Sequence, residues 1–280
     1  MRQIKAEAIA KEIARLSIEA NTALGWDVRE AIACFKEKEK SETPRSILGM
    51  ILENADLAYE KKLPICQDTG MAVVFVYLGQ EVCITGGSIE EAIFSGVREG
   101  YSKGYLRKSV VRDPIDRVNT NDNAPAVIHY FIVPGDELRI IVAPKGFGSE
   151  NMSAVKMLKP SDGIEGVKDF IVETVKLADA NPCPPIIAGV GVGGTMEKAA
   201  IMSKTALLRR IGERNPDKMW AEVEEELLGR INSLGIGPAG LGGLATALAV
   251  HIEAFATHIA GLPVAVNIGC HATRHSEVTL

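Results

Sequence analysis

The stretch that most constrains the fold runs from residue 126 to residue 143. Ala126 to Val133 and Glu137 to Ala143 are short, largely apolar runs rich in β-branched residues, with Pro134-Gly135-Asp136 between them. Such runs suit a pleated, half-buried surface, so the chain must build a sheet, and this pattern predicts a β-hairpin. Ala72 to Leu78 reads as another buried strand, with Glu81 to Thr85 expected to pair with it. Leu262 to Ile268 is a further buried element, whereas Leu244 to Ala256 fits strand or helix equally.

The rest of the chain is periodic in the helical sense. Ile4, Ile9, Ile13 and Leu16 mark a first helix over residues 3 to 20, and Asp27 with Glu30 forms a capping box before Val28, Ile32 and Phe35. Thr43-Pro44 opens a third helix with Ile47, Ile51 and Ala55 inward, and Ser88-Ile89-Glu90-Glu91 opens a fourth that fades near Gly100 to Gly104. Later helices are expected over 163 to 180, over Met196 to Arg210 behind a Thr195 cap, and after Asn215-Pro216 as far as Leu234. Elements of both kinds alternate without repeats or a linker. The expected class is α/β with α+β mixing: helices packed around a central, largely antiparallel sheet, in one domain over 1–280 with length enough for two lobes.

A net charge of -5 argues against a nucleic-acid surface. No run of about 18 apolar residues and no signal-peptide core occurs, so the expectation is a cytoplasmic protein with no membrane partner. The five cysteines form no tight spacing pattern in a chain too large to need disulfide staples. Cys34, inside the second helix, and Cys83, between Val82 and Ile84, read as buried apolar residues.

Cys66, Cys183 and Cys270 are different. They sit in Leu63-Pro64-Ile65-Cys66-Gln67-Asp68-Thr69-Gly70, Asn181-Pro182-Cys183-Pro184-Pro185 and Asn267-Ile268-Gly269-Cys270-His271, all bounded by Pro or Gly. Irregular backbone leaves N–H groups that can stabilise thiolates. Spacings of 117 and 87 residues are unlike a structural zinc site. An iron–sulfur cluster with one iron lacking a thiolate, or three unrelated thiols, stay open on the spacing alone. Pro144-Lys145-Gly146-Phe147-Gly148-Ser149-Glu150-Asn151 has the glycines and lysine of a carboxylate-binding loop, and also of a plain turn.

The strings Ile65 to Gly70, Lys145 to Asn151, Asn181 to Pro185 with Gly193-Gly194-Thr195, and His258 with Asn267 to Cys270 resemble the class I, iron–sulfur fumarate hydratases and related L-tartrate dehydratases over essentially the whole chain. The likeness is to the α subunit of the two-subunit forms, because the sequence stops ten residues after Cys270. It implies that Cys66, Cys183 and Cys270 hold a [4Fe–4S] cluster. It further implies that Gln67 and Asp68 contact substrate with Asp68 handling a proton, that Arg107 and Gly148 bind a substrate carboxylate, and that His258 stands at the substrate's edge. The implied reaction is reversible hydration of a small dicarboxylate, fumarate to L-malate first and L-tartrate dehydration as the alternative. The implied assembly is an α2β2-type heteromer with a β subunit, without which the chain is inactive. His271, Arg274 and His275 stay unassigned.

Two readings compete. Gly189-Val190-Gly191-Val192-Gly193-Gly194 is a literal G-x-G-x-x-G, which would make the chain a nucleotide-binding oxidoreductase. A zinc-stabilised, non-enzymatic scaffold is the other.

Overall fold

All 280 residues are described by a computed structural model. In chain order the elements are β1 (Arg2–Lys5), α1 (Ala6–Thr22), α2 (Trp26–Lys38), α3 (Glu42–Lys61), β2 (Met71–Gly79), β3 (Val82–Thr85), α4 (Ile89–Lys103), β4 (Val127–Val133) and β5 (Leu138–Lys145). There follow α5 (Phe147–Glu150), β6 (Ala154–Leu158), α6 (Gly163–Ala178), β7 (Ile186–Gly193), α7 (Met196–Ala206), α8 (Lys218–Asn232), β8 (Ala247–Phe255), β9 (Leu262–Gly269) and β10 (Ser276–Thr279). The chain divides into two compact units: Met1–Gly25 with Asn54–Phe147 and Arg274–Leu280, and Trp26–Glu53 with Gly148–Thr273.

In the first unit, β2 is apolar along its whole length and takes the centre of a mixed sheet ordered β10-β5-β2-β4. Val74, Val76, Ile140 and Val142 bury against Ile9, Ile13 and Leu16 of α1 and Ile93, Val97 and Tyr101 of α4. The expected hairpin does not form. β5 pairs antiparallel with β2, and β4 pairs parallel with the other side of β2, so β2 lies between the two runs that the hairpin would have joined. The connector wraps the end of β2: Gly79, Gln80 and Glu81 donate their N–H groups to the carbonyls of Glu137, Val133 and Gly135. A Cβ at Gly79 would stand 2.5 Å from the Gly135 carbonyl oxygen, so only glycine lets the connector cross there. Nor does β3 pair with β2. It joins β1 in parallel, and Ile4, expected in the first helix, is a strand residue opposite Ile84.

The second unit has its own sheet, ordered β6-β9-β7-β8, with β7 parallel to β8 and antiparallel to β9. Successive residues of a strand face opposite ways. Ile186, Ala188, Val190 and Val192 of β7 therefore pack with α6 and α8, through Val167, Ile171, Leu227 and Ile231, while Gly189 and Gly191 face α7. A Cβ on Gly189 or Gly191 would come within 2.2 Å of the Ser203 carbonyl or 2.0 Å of the Ala199 carbonyl. These glycines exist so that the α7 backbone can lie on the strand. A dinucleotide fingerprint needs them in the turn after the strand, so the fold gives no support to the nucleotide reading.

The ambiguous segment after Leu244 is strand β8, and β6 was not anticipated. Thr195 turns its hydroxyl to Glu197 instead of capping α7, whereas Asp217 caps α8 by accepting from Met219 and Trp220. Cys34 is exposed on α2, against the expectation of burial, and Cys83 is half-buried. The fold class is mixed α/β as expected, with two four-stranded sheets and the separate β1–β3 pair in place of one central sheet. No helix is long and apolar enough to cross a membrane.

Candidate active site

The turn after α3 is anchored before it presents anything. Ile65 is buried, its N–H bonds the Asn21 carbonyl, and its own carbonyl accepts from Asn54. Cys66 follows on irregular backbone, and its Sγ accepts the Asp68 N–H at 3.4 Å. The Asp68 carboxylate takes one backbone N–H on each oxygen, from Gly70 at 3.0 Å and Phe147 at 2.8 Å. Arg274, itself buried, donates to the Asp68 carbonyl at 2.7 Å and to the Asn21 side chain. Gln67 stays exposed.

Two buried side chains tie this turn to the segment carrying Arg107. The Tyr101 hydroxyl lies 2.9 and 3.0 Å from the Thr69 and Gly70 carbonyls, and burial pushes that phenol well above its usual range, so it serves as a donor. Asn123 is fully buried; its amide donates to the Gly70 carbonyl and its oxygen accepts from Ser109 and Val110 at 2.7 and 3.3 Å. Thr69 Oγ1 closes the set by bonding the Arg107 carbonyl at 3.1 Å. Cys66, Gln67, Asp68 and Arg107 thus belong to one braced surface of the first unit, with the Arg107 side chain exposed.

In the second unit, Cys183 has a left-handed backbone (φ 56°), and its carbonyl accepts from both the backbone N–H and Nδ1 of His271, the latter at 2.9 Å. Cys270 lies just beyond β9, its carbonyl taken by Thr273. His271, the residue that follows Cys270, therefore holds the Cys183 loop beside the end of β9. Nearby, Asn267 donates to Glu150 and Ser153, and Lys204 pairs with Glu150 at 2.5 Å. A Cβ on Gly148 would meet nothing closer than 3.7 Å, so protein packing does not require glycine there, and the exposed position is open to a ligand's approach.

His258 stands apart. It is exposed in the turn before β9, where Nδ1 accepts the Ala260 N–H, and it lines an apolar cavity of about 500 Å³ with Trp220, Phe255 and Ile259. Cys270 is at the other end of β9, roughly 20 Å along the strand. The fold of this unit does not bring His258 to the cysteine loops.

Comparison with known proteins decides the kinship. The family model described as fumarate hydratase (fumerase) matches residues 10–279. The chain belongs to the class I fumarate hydratase family. Among its relatives, a Methanocaldococcus jannaschii protein provisionally named L(+)-tartrate dehydratase subunit alpha is 45% identical over 274 residues, 96% of each chain. L(+)-tartrate dehydratase subunit alpha of Escherichia coli strain UTI89 is 35% identical over 270 residues, 95% of this chain and 88% of that one. The K12 protein of the same name is 34% identical over the same share.

Each of the three loop cysteines, taken in its own unit, has the chemistry of an iron–sulfur ligand: a thiol on irregular backbone. Cys66 in the first unit, and Cys183 and Cys270 in the second, all sit outside regular elements, and Cys66 Sγ already accepts a backbone N–H. Within either unit, no three His, Cys, Asp or Glu side chains are grouped to hold a metal ion. Sequence reasoning passed over Tyr101, Asn123 and Lys204, quoted Glu150 and Asn267 in its strings without giving them a role, and left Arg274 unassigned. Only the polar run Asn119 to Pro125 gave any sign of Asn123.

Proposed function

We propose that this chain is the α subunit of a two-subunit hydro-lyase, with L(+)-tartrate as its substrate ahead of fumarate and malate. The observation that carries the reading is the near end-to-end match to proteins named L(+)-tartrate dehydratase subunit alpha, at 45% and 35% identity. It reverses the order expected from the motifs, in which fumarate came first. The same names support a β subunit as partner.

Cys66, Cys183 and Cys270 would hold a [4Fe–4S] cluster. When bound, such a cluster with one iron free of thiolate supplies a Lewis acid toward a substrate hydroxyl. The chain's own residues do the positioning. Each Asp68 oxygen keeps a lone pair beyond the one its backbone donor uses, so the carboxylate is fixed in place yet able to take or return a proton. Arg107 offers a planar, permanently charged fork to a substrate carboxylate, with Gln67 and Gly148 as further contacts. His258 is assigned to this surface by the resemblance alone. Dehydration removes a hydroxyl from one carbon and a proton from its neighbour, and a 2,3-dihydroxy diacid then yields an enol that becomes a 2-oxo diacid.

The test is anaerobic co-purification with the partner subunit, followed by iron analysis and parallel assays on L-tartrate, L-malate and fumarate. About four irons per α chain, and at least tenfold higher kcat/KM on L-tartrate, are expected; the α chain alone should be inactive. Preference for malate and fumarate would restore the first order of substrates. Colourless protein containing zinc would remove the cluster.

A further inference from the structure

β4 ends the sheet of the first unit, with β2 on one side and no strand on the other. The bond from the Gln80 N–H to the Val133 carbonyl fixes which of its backbone groups face β2. These groups alternate along a strand. Those of Val127, His129, Phe131 and Val133 point to β2, and those of Ile128, Tyr130 and Ile132 point to the open edge. Nothing blunts that edge: the seven residues contain no Lys, Pro, Asp or Glu. Ile132 is 72% exposed and Tyr130 47%.

The strand reads Val-Ile-His-Tyr-Phe-Ile-Val, nearly the same in both directions about Tyr130. Antiparallel pairing with an identical strand, on a two-fold axis at Tyr130, sets Val127 opposite Val133, Ile128 opposite Ile132 and His129 opposite Phe131. Tyr130 meets its own copy. The residues whose N–H and C=O groups point outward are the ones that would exchange bonds in this register, Ile128 with Ile132 and Tyr130 with Tyr130. On the other face, His129 already stacks on Phe75 at 5.3 Å and Phe131 on Tyr77 at 4.9 Å. The copy's rings would extend both rows. A strand of unrelated sequence could supply the backbone bonds but not this match, which is the self-complementarity an isologous contact requires.

We propose that β4 is the contact between two copies of this chain, joining two four-stranded sheets into one of eight. Because Tyr130 faces itself, the test is a charge swap. Sedimentation of the full chain at tens of micromolar should give twice its 30.0 kDa mass. Tyr130→Lys and Tyr130→Asp should each weaken dimerisation at least 100-fold, since like charges then meet on the axis. An equimolar mixture of the two should return to the dimer.

A monomeric wild-type chain would overturn the proposal. So would single variants that dimerise as tightly as wild type, or a mixture of folded variants that stays monomeric. If the variants do not fold, hydrogen exchange on the wild-type chain decides. The amides of Ile128, Tyr130 and Ile132 should be protected in the dimer, and rapid exchange at all three would refute the contact.

Discussion

Asn123 is the side chain on which the arrangement around Cys66 and Arg107 can be tested most directly. It is fully buried, in a left-handed conformation (φ 62°) that asparagine tolerates, and makes three bonds to backbone groups of two different loops. Asn123→Ala removes all three, with unequal consequences. The Gly70 carbonyl keeps the Tyr101 hydroxyl, and the Ser109 N–H lies at an exposed residue where water can replace the amide. The Val110 N–H is buried and left with nothing. About 1 kcal/mol for each of the first two and 1–3 kcal/mol for the orphaned donor gives a loss of at least about 3 kcal/mol. At 1.4 kcal/mol per factor of ten, that is roughly a 100-fold shift in the opening equilibrium of the loop.

Hydrogen exchange resolved to single amides is the assay, because the loss is local and one global midpoint would blur it. Ser109 and Val110 should exchange roughly 100-fold faster in Asn123→Ala. Tyr101→Phe, which leaves both Asn123 bonds to these amides in place, should change them by less than tenfold. Since Thr69 holds the Arg107 carbonyl, the loosened segment carries Arg107 with it, and KM should rise with iron content unchanged. Exchange at both amides within threefold of wild type would show that Asn123 does not brace the loop.

Two further outcomes follow from packing and from burial. Gly191→Ala should lower stability by about 1–3 kcal/mol or more, since its Cβ would sit 2.0 Å from the Ala199 carbonyl and force α7 outward. Gly229→Ala, on α8 with nothing within 4 Å, should hold or raise the melting temperature; equal melting of the two variants would contradict the account of the glycines in β7. His251 is buried on β8, and desolvation, followed by the nearby Arg209 charge, lowers its pKa to about 4. The unfolded chain, with an ordinary histidine, then binds the extra proton between pH about 6.5 and about 4. The stabilisation is complete above that window and is lost as pH falls through it, about 3 kcal/mol in all. Thermal unfolding of His251→Gln should accordingly depend less on pH between 6.5 and 4 than wild type, and parallel curves would refute it.

The element types were legible because period and punctuation are local. Pairing was not. The runs around Pro134-Gly135-Asp136 have the pattern of a hairpin, and nothing in their composition says that an apolar strand from about 50 residues earlier would wedge between them. Ile4 was misplaced for a related reason: four residues of strand before a helix carry no usable period, and their partner, β3, lies far along the chain. Cys34 could have been read correctly. Ile32 is buried on α2, and two residues further round a helix is about 200° away, on the solvent face.

The candidate site was legible in half. Loops that leave ladder bonding show themselves by Pro, Gly and clustered polar residues, and Cys66, Cys183 and Cys270 were singled out that way. The same irregularity creates a demand that the loop cannot meet itself. Its carbonyls and N–H groups must find partners in buried surroundings, and those partners come from elsewhere in the sequence. In the first unit they are Asn21 on α1, Tyr101 on α4, Asn123 and Arg274, side chains whose own segments look like ordinary helix and loop. A sequence reading that finds an irregular polar loop can therefore infer that such supports exist. Which residues they are depends on how α1, α4 and the 119–125 loop pack around the turn, and that is information held by the tertiary structure.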